Sequence, residues 1–355
     1  MKTLVQVFKT LAEIDSVSGE EKKISDFIVK YLMDLHLNPV QDEFNNIYVR
    51  VGDQPNPKLF CAHMDTVEPG RGVKVIEENG ILKSNGSTII GGDNKASVAL
   101  ILYTLTKLLN ENKPVNVELL FTVREETDSG VSQFNTAILQ SKLAFVFDGG
   151  NGSLGWLAKS APTIQDFKIK ITGKSAHASL PEDGKNVLEF LFDLKGKLKL
   201  GRPDEYTTLN IGIANAGIAT NSVPGILTSE GDLRSSKTEN FERHKREFEE
   251  IITKVALEHS MEIDFRWIPY AYGYEMDLST QNYKNVRELY KDFGINIEPT
   301  DVKGGSDAAF LNYKGIESYC LGDSVIDVHT VNERIEIKKY ELLQQIVESI
   351  FLKAF

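Results

Sequence analysis

Cysteine is scarce in this chain, with two in 355 residues. Cys61 and Cys320 lie far apart, each inside an apolar, strand-like run, so two buried free thiols in a reducing cytosol, rather than a disulfide, are the expectation. Basic charge is the next deficit: 40 Lys and Arg stand against 51 Asp and Glu, a net charge of -11. Nucleic acids and anionic membranes select for the opposite balance, so neither is expected as a partner. An acidic chain does suit a site that holds divalent cations. Long apolar runs are missing as well. The longest, residues 96–109, is too short and too interrupted to span a bilayer. The first nine residues are broken by charge too early for a signal peptide and continue as an amphipathic helix. There is no internal repeat, no low-complexity segment, no Walker-type phosphate loop and no nucleophile elbow. Residues 150–155 match the dinucleotide fingerprint formally, but a strand pattern instead of a helix follows them. A cytoplasmic globular protein is expected.

At 355 residues the chain exceeds the size at which single cores stop growing, which predicts two domains. Helical periodicity over 2–13 and 20–35 is followed by strand patterns at 46–51 and 58–62, a helix at 97–110, and strands at 116–123 and 143–147. This alternation predicts an α/β fold with a doubly wound mixed sheet. After Trp156 the rhythm changes to strand 163–172, helix 185–198, strands 207–214 and 226–234, helix 239–258 and strand 261–267. That order, β-α-β-β-α-β, is the ferredoxin-like (α+β) unit. It predicts a compact inserted domain of residues 161–270, with 1–160 plus 271–355 forming the main α/β domain. A helix near 281–293, a strand at 317–321 and a helix at 338–354 complete the latter.

The chemistry lies in polar residues at strand ends. His63 and Asp65 close the run Leu59-Phe60-Cys61-Ala62, Glu125 and Glu126 follow Leu119-Leu120-Phe121-Thr122-Val123, and Asp148 follows Phe145-Val146-Phe147. Asp93 sits in a Gly-Gly turn before a helix, and His329 in Val328-His329-Thr330. Each alone has a plain structural explanation, such as a helix cap, a turn or a core histidine. Jointly they gather where open α/β sheets bind ligands. Two imidazoles and three or four carboxylates meet the needs of a dinuclear metal site with a bridging carboxylate. Asp65, two residues after His63 on an extended segment, points the same way and can fix an imidazole tautomer. Glu125 and Glu126 diverge at a strand end, so one can ligate while the other moves a proton. His36, His244 and His259 read as unpartnered surface residues.

At His63-Met64-Asp65-Thr66-Val67, Gly92-Asp93-Asn94-Lys95-Ala96, Arg124-Glu125-Glu126 and the closing His329, the chain resembles the cocatalytic zinc exopeptidase family. That family contains peptidase T, carboxypeptidase G-type enzymes and acetylornithine/succinyl-diaminopimelate deacylases. Residues 67–73 and 84–90 look most like the peptidase T branch. The resemblance spans nearly the whole chain, with Gly92 where peptidase T-like proteins often carry Ala and Asn94 where many carry Asp. It implies two zinc ions, with cobalt or manganese suiting the same ligands. His63 and Asp148 would hold one and Glu126 and His329 the other, with Asp93 bridging. It further implies Glu125 as general base and then acid, Asp65 as orienting carboxylate, and a cis peptide after Asp93. It makes 161–270 an inserted ferredoxin-like (α+β) lid domain and the rest the catalytic domain. His177 from the lid would polarise the substrate carbonyl, while Asn221 and Arg234 would bind its carboxylate. The loop Gly304-Gly305-Ser306-Asp307 would line the cleft. The implied activity is hydrolysis of an amide bond in a small peptide, as a di- or tripeptide aminopeptidase acting as a monomer or homodimer. N-acyl amino acid deacylase or carboxypeptidase activity on the same scaffold is the alternative, and a non-catalytic binding protein the remote one.

Overall fold

The computed structural model describes residues 2–128 and 130–355. The chain divides into two compact units, Met1–Ser160 with Glu275–Val302 and Ser306–Phe355, and Ala161–Tyr274 with Lys303–Gly305.

In the first unit the strands Lys58–His63, Val117–Thr122 and Leu143–Phe147 are buried along almost their whole length. Their near-continuous apolar runs are those of parallel strands covered on both faces. They do pair in parallel: Lys58 lies opposite both Val117 and Leu143, and His63 opposite Thr122. Glu317–Leu321 extends the parallel set beside Leu143–Phe147. Ile47–Val51 adds an antiparallel strand at one side and Trp156–Ala161 at the other. The result is a mixed sheet of nine strands among the described residues.

The helix Gly92–Asn110 is buried on nearly every side, whereas the outer helices bury one stripe each. Leu4–Ala12 turns Leu4, Val7, Phe8 and Leu11 inward, and its start is fixed by a capping box between Thr3 and Gln6. Phe60 stacks on Phe351 at 4.0 Å and on Phe145 at 5.6 Å, which anchors the C-terminal helix Ile337–Leu352 to the central strands. A second, small sheet runs Val325–Ile326, Arg334–Glu336, Ile81–Lys83, Ile76–Glu78. Its two- and three-residue strands are too short to leave a periodicity in the sequence.

The second unit is a four-stranded antiparallel sheet in the order Thr207–Ala216, Ile226–Ser235, Thr163–Thr172, Glu262–Ala271. With the helices Val187–Lys197 and Thr238–Glu258 between strands, this is the ferredoxin-like arrangement. Its core is its own, built from Phe167, Ile169, Phe190, Leu233, Phe241 and Phe248.

Both cysteines are free and buried, and among the described residues no helix is long and apolar enough to cross a membrane. The sequence reading of His244 and His259 as unpartnered needs correction. His244 bonds Asp204 at 2.9 Å and Glu247 at 3.0 Å, and His259 bonds Asp193 at 2.9 Å. Asp193 and Asp204 lie dozens of residues away in sequence, so no local pattern reveals them.

Candidate metal centre

His63 is the last residue of its strand, Glu125 and Glu126 open the short helix that follows Val117–Thr122, and Asp148 follows Leu143–Phe147. Because these three strands are parallel, their carboxyl ends share one edge and the four side chains converge there. Asp93 enters from the start of the helix Gly92–Asn110, where the Asp93–Asn94 peptide is cis. His329, at φ 62°, comes from the loop between two strands of the small sheet.

The geometry forms two groups that share Asp93. Ligand atoms of His63, Asp93 and Asp148 lie within 4.8 Å of one another, as do those of Asp93, Glu126 and His329. Asp93 Oδ1 is 3.2 Å from His63 Nε2, while its Oδ2 is 3.2 Å from His329 Nε2. One carboxylate thus turns an oxygen toward each group. His63 Nε2 also lies 3.7 Å from Asp148 Oδ1, and His329 Nε2 lies 2.8 Å from Glu126 Oε1. Glu125 belongs to neither group, with Oε2 at 4.0 Å from His63 Nε2.

Concentrating carboxylates in a buried place perturbs all of them. Burial raises the Glu125 carboxyl well above its ordinary range, and the charges of Asp148, Asp307 and Glu126 add to that. Burial likewise raises Glu126 and Asp148. Asp93 goes the other way: burial pushes it up, but its bonds to His329 and His63 outweigh that and hold it below the usual carboxylate range. The bonds from Asp93 and Glu126 raise His329 to about 10. Carboxylate oxygens and imidazole nitrogens without a thiolate are the donor set of zinc, cobalt or manganese. So much buried negative charge calls for cationic compensation, and the residues present fit a pair of divalent ions.

Around these groups lies a shell of buried carboxylates that hold backbone. Asp65 is fully buried, and its carboxylate accepts hydrogen bonds from the Ser18 hydroxyl at 2.6 Å and from the Glu125 and Glu126 N–H groups at 3.0 and 3.2 Å. The His63 Nδ1 faces the Asp65 carbonyl at 3.1 Å and its carboxylate at 3.3 Å, both acceptors, so Nδ1 donates to Asp65, and Nε2 is the nitrogen turned toward Asp93 and Asp148, where it would ligate an ion. Glu21 accepts from the Gly19 and Arg124 N–H groups, tying the N-terminal loop to the turn that presents Glu125.

Asp307, buried at 1% exposure, accepts from Thr122 Oγ1, from the Val131 N–H and from the Cys61 thiol. Of the sequence-predicted loop Gly304-Gly305-Ser306-Asp307, Asp307 therefore acts as a brace between neighbouring strands of the first unit. Glu21 gives no signal of function in the sequence, because a carboxylate that accepts backbone N–H groups from a distant segment obeys no spacing rule.

The other sequence-predicted residues lie in the second unit. His177 pairs with Ser222 in a two-residue ladder, and the Ala178 N–H donates to the Asn221 carbonyl, so these two positions are neighbours. The His177 Nδ1 accepts the Ser179 N–H at 3.2 Å, which leaves Nε2 as the N–H donor of an exposed ring. Arg234 is on the strand Ile226–Ser235, opposite Thr208 and Ile164, and its Nε donates to Asp232.

Comparison with known proteins agrees with this architecture. Residues 59–353 match the profile of Peptidase family M20/M25/M40. The chain is 29% identical to the uncharacterized protein YqjE of Bacillus subtilis over 374 residues, covering 99% of this chain and 98% of that one. A tripeptidase of Staphylococcus aureus superposes with a TM-score of 0.86 at 29% identity, covering 98% and 97% of the two chains. Aminopeptidase PepT of Bacillus cereus does so with a TM-score of 0.85 at 27% identity and the same coverage.

Proposed function

This chain belongs to Peptidase family M20/M25/M40 and is a metallopeptidase; from that premise we propose that it is a two-metal aminopeptidase of small peptides. The observation that carries the two-metal part is Asp93, whose oxygens face two different ligand groups. Its likeness to a tripeptidase and to aminopeptidase PepT supports the substrate class.

His63 and Asp148 would hold one ion, Glu126 and His329 the other, and Asp93 both. Zinc fits this donor set, and cobalt or manganese can take its place. Bound there, the ions supply Lewis acidity toward a carbonyl oxygen and a water molecule. Glu125 lies 4.0 Å from His63 Nε2 and belongs to neither group, and burial raises the proton affinity of its carboxylate. It takes the proton of the attacking water and returns it to the nitrogen of the leaving amine. Asp65 keeps the His63 ring in the Nδ1-protonated form and holds the backbone of Glu125 and Glu126. We assign the His177 Nε2–H to the carbonyl oxygen as negative charge develops there. Asn221 and the planar guanidinium of Arg234 are assigned to the substrate carboxylate. A cytoplasmic location fits such a peptide substrate.

The test is a matched panel: a tripeptide, its N-acetylated form and an N-acetyl amino acid, each with added zinc and with chelator. Cleavage of the free tripeptide alone, abolished by chelator, is expected. Turnover of only the acylated compounds would move the protein to deacylase or carboxypeptidase activity. Silence across the panel would overturn the small-peptide aminopeptidase reading and leave an unusual substrate or a binding role.

A further inference from the structure

Glu333 is a buried carboxylate that the chemistry above does not use. It lies four residues after His329, with 1% exposure. Its Oε2 accepts the Ile90 N–H at 2.8 Å and the Gly91 N–H at 2.9 Å, and its Oε1 accepts the Asp93 N–H at 3.0 Å. One side chain therefore holds three backbone donors of the segment that delivers Asp93. These donors sit at the start of the helix Gly92–Asn110, where N–H groups have no partner within the helix and negative charge is favourable.

The sequence around them is shaped for this contact. Gly91 sits at φ 68°, in the left-handed region that favours glycine. A Cβ at Gly92 would lie 3.2 Å from Glu333 Oε1 and 2.8 Å from Val325 Cγ1. A side chain there would meet Val325 first and press on the carboxylate by a few tenths of an ångström. Glu333 also belongs to the loop that presents His329. It thus ties the source of one ligand to the source of another, and the 3.2 Å approach of Asp93 Oδ2 to His329 Nε2 depends on both ends of that tie.

We infer that Glu333 is a positioning residue of the metal centre, holding Ile90–Asp93 and the His329 loop in the register that lets Asp93 face both ligand groups at once. The inference rests on the proposed two-metal reading. Glu333→Gln tests it, because an amide keeps the size but offers one acceptor oxygen where two are used, and turns an N–H toward backbone donors. Chelator-stripped wild type and E333Q are compared by circular dichroism, thermal melting and calorimetric titration with cobalt(II) alone.

Wild type is expected to take up two ions per chain. E333Q is expected to stay folded and to bind both ions about 10–100-fold more weakly, since Asp93 is shared, as for other residues that orient metal ligands. Glu333→Asp keeps the charge but withdraws it by one methylene and is expected to fall between the two. Wild-type cobalt affinity in E333Q, with only the melting temperature lowered, would overturn the inference and leave the centre standing. If stripped E333Q does not fold, E333D decides by the same titration, wild-type affinity again overturning it. A wild type that takes up no cobalt would remove the centre itself, and the inference with it.

Discussion

At the scale of single residues, Glu125 and Asp93 are neighbours in one buried site yet are pushed in opposite directions. Asp93 is held ionised by two imidazoles, whereas Glu125 has no such partner within bonding distance and is raised by burial. That split suits a ligand and a proton carrier respectively. Glu125→Gln is therefore expected to lower kcat by about 10²–10⁴-fold while two metal ions still bind, as measured by tripeptide turnover alongside metal analysis. Loss of metal together with activity would make Glu125 a ligand instead. Asp65→Asn removes one acceptor from a carboxylate that serves Ser18, His63 and two backbone donors. A loss of about 10–100-fold in metal affinity is expected for such an orienting residue, read by cobalt titration; unchanged affinity would confine Asp65 to backbone support. Four of the five ligand positions are legible in sequence because each follows an apolar strand or a glycine turn; His329, in a loop after a two-residue strand, carries no such mark. Glu21 and Glu333 are not, since each serves backbone groups brought to it by a distant segment.

At the scale of elements, long periodic segments announce themselves, and the helix Thr238–Glu258 is one. What seats it is less visible. Asp204 accepts hydrogen bonds from Asn240 at 2.7 Å, Arg243 at 2.7 Å and His244 at 2.9 Å, all on that helix, and from the Tyr206 N–H at 2.8 Å. Burial pushes the Asp204 carboxyl up, but the bonds from Asn240 and His244 outweigh it and hold the group well below the usual carboxylate range. A carboxyl depressed in the folded state releases its proton more readily there than in the unfolded chain, so its stabilisation is present above the unfolded value near 3.9 and lost as pH falls further. Asp204→Asn is expected to be less stable than wild type at pH 7, with the gap closing below about pH 4. Urea midpoints of both proteins at pH 7, 4 and 3 check this, and a gap constant with pH would refute it.

At the scale of the molecule, two cores and one candidate metal centre frame the expectations. The centre lies wholly within the first unit. An ion that binds only the folded chain stabilises it by about 2.7 kcal/mol at a hundred times its Kd. Chelator should therefore lower the Tm and added zinc or cobalt restore it; a Tm indifferent to both would count against the centre. The second unit has its own buried cluster of Phe167, Phe190, Phe241 and Phe248. Expressed alone as residues 161–274, it is expected to unfold in a single cooperative thermal transition, whereas a gradual, non-cooperative melt would show that it depends on the rest of the chain.

Read without coordinates, the chain already determines its α/β class and its ferredoxin-like alternation, and it marks most residues of the candidate centre. These follow from short-range physics: apolar runs buried on both faces, the 3.6 and 2.0 periodicities, and polar residues placed where strands end. The tertiary structure decided the rest. Parallel pairing of Lys58–His63 with Val117–Thr122 and Leu143–Phe147 put three strand ends on one edge. A strand order set by long-range pairing brought His329 to a residue 236 positions earlier, Asp93. Strands of two and three residues, such as Val325–Ile326 and Arg334–Glu336, formed only because partners were at hand. Backbone donors near the site found buried carboxylates that no sequence spacing announces. Local patterns set what each segment can be; which distant groups meet is settled by packing, because hydrogen bonds and charges act through space and not along the chain.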